Sequence, residues 1–221
     1  MHKKSFDLRC YFVTGSGSPE HIAHIAAQAA AGGAGIIQLR SKPITSEAMS
    51  ELARQVSAAV AASNPATKVL IDDHLDVTAA LMQEGLTIHG IHLGQQDVSV
   101  RQAREVLGPE AIIGLTTGTQ ELVRAANEVA DVIDYIGAGP FRATPTKDSG
   151  RPPLGIEGYP ELVKMSQLPI VAIGDVTEAD VAALAATGID GVAMVRGFMN
   201  VSHPDEFAAR ILNLFDQGAA S

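Results

Sequence analysis

The stretch Ile22-Ala-His-Ile-Ala-Ala-Gln-Ala-Ala-Ala-Gly-Gly-Ala-Gly-Ile-Ile-Gln-Leu-Arg-Ser-Lys42 holds two structural periods side by side. Ile22, Ile25, Ala26 and Ala29 recur at helical spacing, and Gly32 stands where a C-terminal cap belongs. Ile36 to Leu39 is then a short run shaped for a strand covered on both faces, as in a parallel sheet. The same pair of signals repeats along the chain. Strand-like runs stand at Tyr11 to Thr14, Ile36 to Leu39, Val69 to Ile71, Gly90 to Leu93, Ile112 to Thr116, Ile133 to Ile136, Ile170 to Ile173 and Val192 to Val195, with Ala-rich helical stretches between them. Ser46 and Thr177 are candidate helix starts, and Gly85 and Gly188 candidate helix ends. Eight strand-then-helix units in 221 residues predict the α/β class and a single (β/α)8 TIM barrel over residues 1–221, with an open doubly wound sheet as the other option.

The net charge of −9, with no lysine and arginine cluster interleaved with aromatics, argues against nucleic acid as a partner. No apolar run approaches the roughly 20 residues that span a bilayer. The polar Met1 to Arg9 lacks the apolar core of a secretory signal, so a cytoplasmic protein without a membrane partner is expected. Cys10 is the lone cysteine, at the start of an apolar run; it excludes an internal disulfide and reads as a small buried residue. Homo-oligomerisation is left open.

Barrel enzymes carry their chemistry at the C-terminal strand ends, where the loops converge on one mouth. The second strand runs out through Gln38, Arg40 and Lys42, which a period of two places on one side as a clamp for a polyanion. The third ends in Asp72-Asp73-His74 and the fourth in Gln95-Gln96-Asp97. Carboxylates beside a cationic clamp suit Mg2+, which is held by one or two carboxylates together with substrate phosphates. Asp97 reads equally well as a cap on the following helix. His89 and His92, at odd spacing on a strand, point to opposite faces and do not suit a shared metal, and His21 and His24 lack a third ligand. Gly15-Ser16-Gly17 is too short a signal to assign to a phosphate.

Thr116 ends the fifth strand, and the sixth leads into residues 139–155, a polar, proline-rich stretch in which Thr144, Thr146 and Lys147 offer two hydroxyls and a point charge. The seventh and eighth strands end in Gly174-Asp175 and Val195-Arg196-Gly197, the loop pair that binds a phosphate monoester in many barrels. Two anion sites are indicated.

In this order and spacing, Gln38-x-Arg40-x-Lys42, Asp73, Gly90-Ile-His-Leu-Gly-Gln95 with Asp97, Tyr135-Ile-Gly137, Gly139-Pro140, Thr144-x-Thr146-Lys147 and Ala172-Ile-Gly174 resemble the thiamine-phosphate synthases over nearly the whole chain. The resemblance implies a barrel that joins hydroxymethylpyrimidine diphosphate to thiazole phosphate with Mg2+, giving thiamine phosphate and diphosphate. It implies that Gln38, Arg40, Lys42 and Lys147 hold the pyrimidine diphosphate, that Asp73 and Asp97 bind Mg2+, and that Thr144 and Thr146 grip the thiazole phosphate. It also implies a dissociative reaction in which Arg40, Lys42 and Lys147 stabilise the departing diphosphate, which fits a sequence without an evident nucleophile and base pair.

The chain departs from that pattern in places. Asp72, Thr116 and Gly118-Thr119 stand where the family has Asn, Ser and His-Thr, and His74 replaces an arginine. Asp72 is a candidate further metal ligand. Asp175 and Arg196 replace a glycine and a serine that face the thiazole phosphate in the family. A carboxylate about 5 Å from a phosphate costs about 3 kcal/mol at an effective dielectric of 20, so the two substitutions are expected to be coupled, with Arg196 pairing with Asp175 or reaching the phosphate itself. The other readings are a thiazole tautomerase, which would work in chelator, and a non-catalytic thiamine-phosphate binder.

Overall fold

The computed structural model describes residues 5–143 and 150–221; Thr144, Thr146 and Lys147 lie outside the described residues. The strands are β1 Cys10–Val13, β2 Ile36–Leu39, β3 Lys68–Asp72, β4 Gly90–Leu93, β5 Ile112–Thr117, β6 Tyr135–Ala138, β7 Ile170–Ala172 and β8 Gly191–Met194. They pair in sequence order, all in parallel, and β8 closes onto β1. The helices are α1 Pro19–Ala31, α2 Ser46–Ser63, α3 Leu75–Gln83, α4 Val100–Leu107, α5 Gln120–Asn127, α6 Tyr159–Met165, α7 Val181–Ala185, α8 Arg196–Met199 and α9 Pro204–Ala219. Among the described residues no helix is long and apolar enough to cross a membrane. The chain is a (β/α)8 TIM barrel.

The strands are apolar on both faces because two cores meet in them. Phe12, Ile37, Leu39, Ile71, Ile91 and Ile113 point outward and pack with helix residues such as Ile22, Ile25, Leu52 and Val56. Leu8, Tyr11, Val13, Ile36, Leu70, Ile112, Tyr135 and Val171 fill the barrel itself. In α1 the predicted stripe is the buried one, with Ser18 as the N-cap accepting from the His21 N–H and Pro19 in the first turn. Pairing within the parallel sheet puts register partners on the same face. Gln38 therefore shares the interior with Val13 and Leu70, Asp72 with His92, His92 with Gly114, and Gly114 with Tyr135.

Three local expectations need correction. The cap of α2 is Thr45, whose hydroxyl accepts from the Ala48 N–H, while Ser46 is the first helical residue. Asp97 does not cap α4; Ser99 does, accepting from the Gln102 N–H. The sixth strand starts at Tyr135 rather than Ile133, because the Asp134 carboxylate accepts from the Ile113 N–H at 2.9 Å and from Arg104 Nη2 at 2.8 Å. Arg104 also donates to the carbonyls of Gly108, Ala111 and Val132, so this corner beneath β6 is tied by a side chain from another unit.

Candidate active site

The C-terminal strand ends surround a cavity of about 130 Å³. A second hollow, beside α2 and β3, holds about 10 Å³, which is room for roughly one water. Gln38, Arg40, Asp72, Thr116, Gly174, Asp175, Val195 and Arg196, all expected from the sequence, line the larger cavity.

On β2 the period of two does what the pattern predicts. Gln38 is buried and its Nε2 donates to Asp72 Oδ1 at 2.6 Å. Arg40 Nε lies 3.4 Å and Lys42 Nζ 3.6 Å from Asp72 Oδ2, and Lys42 also bonds to Asp73. Asp72 is thus turned toward the amide and the two cations of the clamp. Burial works against the Lys42 charge, but the bond to Asp73 and the field of Asp72 hold its pKa above the ordinary lysine value.

Asp73 and Asp97, from the ends of β3 and β4, hydrogen-bond to each other, and Asp97 Oδ2 accepts from the Gly94 N–H at 2.6 Å. Burial first, and the bond to Asp73 second, hold the Asp97 carboxyl above the usual carboxylate range. Two hard oxygen donors, Asp73 partly buried and Asp97 exposed, beside two cations fit Mg2+, whose remaining ligands would be substrate phosphates and water.

Across the mouth, Arg196 at the start of α8 is ion-paired with Asp175 after β7. Arg142 donates to the Asp175 carbonyl at 3.1 Å and to Asp180 Oδ2 at 2.7 Å, and it lies over the Phe141 ring. Asp180 in turn closes a capping box with Thr177. The pairing of the two substituted residues is therefore present in the fold.

Tyr11, His92, Tyr135 and Arg151 also line the cavity and are absent from the predicted site. The signal for two of them, His92 and Tyr135, was within reach. Once Gln38 is placed inward, strand register carries the interior face from Asp72 through His92 and Gly114 to Tyr135. His89 belongs elsewhere: its Nδ1 accepts from the Val69 N–H, and burial, with Lys68 second, pushes its pKa down to about 4. His89 and His92 thus serve separate places. Gly118 has φ +146°, and a Cβ there would collide with the Gly139 carbonyl. The end of β5 runs too close to the start of the 139–155 stretch for anything larger.

The sequence model described as thiamine monophosphate synthase matches residues 10–198. Among curated relatives, the thiamine-phosphate synthase of Corynebacterium efficiens is 58% identical over 96% of this chain and 97% of its own. That of Corynebacterium jeikeium is 60% identical over the same shares. Among solved structures, thiamine phosphate pyrophosphorylase from Pyrococcus furiosus superposes with a TM-score of 0.79 at 23% identity, covering 95% of this chain and 96% of the other. Orotidine 5'-phosphate decarboxylase from Pyrococcus horikoshii superposes at 0.66 and 13% identity over 93% of this chain and 99% of the other. Both superpositions speak to the barrel alone. With the family's sequence pattern running from β1 into α8, and a clamp, a carboxylate pair and a second mouth lining set on that barrel, the chain belongs to the thiamine monophosphate synthase family.

Proposed function

We propose that the chain is a thiamine-phosphate synthase that joins hydroxymethylpyrimidine diphosphate and thiazole phosphate with the help of Mg2+, releasing diphosphate. The observation that carries this reading is the run of opposite charges that starts at the cavity wall, where Arg40 and Lys42 meet Asp72, Lys42 also bonds Asp73, and Asp73 reaches Asp97. A diphosphate brings several negative charges and needs both kinds of partner. Mg2+, held by Asp73 and Asp97, would neutralise charge on the departing diphosphate.

The chain's own residues supply the rest. Arg40 and Lys42 hold the diphosphate and stabilise its charge as the bond to the pyrimidine methylene breaks. Val13, Ile173 and Ala193 line the same cavity and exclude water from the electron-poor methylene until the thiazole nitrogen attacks. Gly174, Val195 and Arg196 face the side where the thiazole phosphate would sit. Thr144, Thr146 and Lys147, outside the described residues, complete both anion sites in this proposal. The tautomerase reading drew on Arg196 as a spare cation for a carboxylated substrate, and Asp175 already neutralises it.

Purified protein given both substrates should form thiamine phosphate and diphosphate together with Mg2+ and neither in chelator. Asp73→Asn and Asp97→Asn should each raise the Mg2+ concentration for half-maximal rate at least about tenfold, the scale of losing one charged ligand. Turnover in chelator, or bound substrates without product, would overturn the proposal.

A further inference from the structure

Inside the barrel, polar side chains from six strands form one unbroken hydrogen-bonded line. Asp72 Oδ1 meets Gln38 Nε2 at 2.6 Å, and Gln38 Oε1 meets Tyr11 Oη at 2.7 Å. Tyr11 Oη meets Tyr135 Oη at 2.7 Å, Tyr135 Oη meets His92 Nδ1 at 2.9 Å, and His92 Nε2 meets Thr116 Oγ1 at 3.0 Å. Every member lines the cavity. Gly114 leaves the room for it, since a Cβ there would strike both the Tyr135 phenol and His92 Nδ1.

Each link holds one proton, and the Asp72 end fixes which way they all point. A carboxylate beside Arg40 and Lys42 only accepts, so the Gln38 amide must turn its NH2 toward Asp72 and its carbonyl toward Tyr11. Tyr11 has a single proton and gives it to that carbonyl. Its oxygen then accepts from Tyr135, which spends its own proton there and accepts in turn from His92 Nδ1. Burial first of all raises the pKa of both phenols, so neither gives up its proton to solvent. On a neutral ring Nε2 is then bare, and the Thr116 hydroxyl donates to it.

We infer that this line is proton-ordered from Asp72 to Thr116, that it holds neutral His92 as the Nδ1–H tautomer, and that Tyr11 and Tyr135 are positioning residues that make Thr116 present an acceptor to the cavity. A ligand edge bearing an N–H is thereby favoured over one bearing a carbonyl. The chemistry that would exploit this is an aminopyrimidine, a consequence that rests on the synthase reading. The tautomer does not rest on it.

The test is nitrogen-15 NMR of the histidine rings in the ligand-free protein at a pH of about 8.5, where an ordinary imidazole is neutral. His92 should show a protonated Nδ1 and a bare Nε2, identified by its loss in His92→Gln. In Tyr11→Phe, Tyr135 loses its acceptor and turns its proton to His92 Nδ1, so the tautomer should invert; Tyr135→Phe should also release it. An Nε2–H ring in the unaltered protein, or a tautomer unmoved by both substitutions in folded protein, would overturn the ordering. In the synthase assay, Tyr11→Phe should raise KM for the pyrimidine diphosphate about tenfold with kcat changed less than about threefold, the scale of one misdirected hydrogen bond. An inverted tautomer with unchanged KM would overturn the positioning role, and an unaltered protein without turnover would overturn the synthase reading alone.

Discussion

Asp73 and Asp175 are the non-glycine residues with positive φ among the described residues, at 63° and 59°. Both close a strand at the cavity mouth, and both hold a cation from a neighbouring unit, Lys42 and Arg196 respectively. A left-handed residue of this kind costs on the order of 1 kcal/mol or more and persists where its surroundings demand it, with aspartate among the side chains that bear it best. The cost at Asp175 makes the pairing with Arg196 testable. Arg196→Ser leaves an unpaired carboxylate facing the proposed phosphate and should raise KM for thiazole phosphate at least about tenfold, given a repulsion of up to about 3 kcal/mol at 5 Å. Asp175→Gly in the same chain removes that charge and should bring KM back to within about threefold of the unaltered protein. Effects that simply add would show that the two residues act independently. Thr116, Gln38 and Asp72 were readable as polar strand-end residues. Their hydrogen-bond direction was not, since it depends on Tyr11, His92 and Tyr135 from three other strands.

At the scale of elements, Arg196 depends on the seat of α8. Phe198, on the same short helix, is fully buried, with its ring 4.8 Å from that of Phe12 on β1 and 4.9 Å from that of Phe207 on α9. Such a helix has too few turns to hold itself, and this aromatic stack fixes it. Phe198→Ala should cost about 3–5 kcal/mol by denaturant unfolding, as for other buried phenylalanines. It should also weaken thiazole phosphate binding in protein that is still folded, because Arg196 moves with the helix. Loss of stability with unchanged KM would separate α8 from the site. Element boundaries were legible where local signals govern, as with Ser18 ahead of α1, and missed where a distant side chain governs. Asp134 sits in an apolar run that looks like strand from Ile133, yet Arg104 and the Ile113 N–H claim its carboxylate, and β6 starts at Tyr135.

For the whole molecule, Cys10 offers a direct report on cooperativity. It is the one cysteine of the chain, it is fully buried between the sheet and the helices, and burial pushes its thiol pKa up. β1, which carries it, is clasped between β2 and β8, and α9 packs beside it with Arg9 reaching Asp216 at 2.7 Å. A thiol reagent should therefore leave the native protein unmodified and react with a free-energy requirement that falls with denaturant along the global unfolding curve. Reaction well before the global transition would mean that β1 or α9 opens by itself. The barrel, its eight units, the common side of Gln38, Arg40 and Lys42 and the family were determined by the sequence itself, because alternating periods and strand-end residues are local properties written in order along the chain. The Asp73 and Asp97 contact, the choice of Asp175 as the partner of Arg196 and the polar line from Asp72 to Thr116 were decided only in three dimensions. Each joins side chains from different units, and strand register together with the close approach allowed at Gly114 brings them within hydrogen-bonding distance.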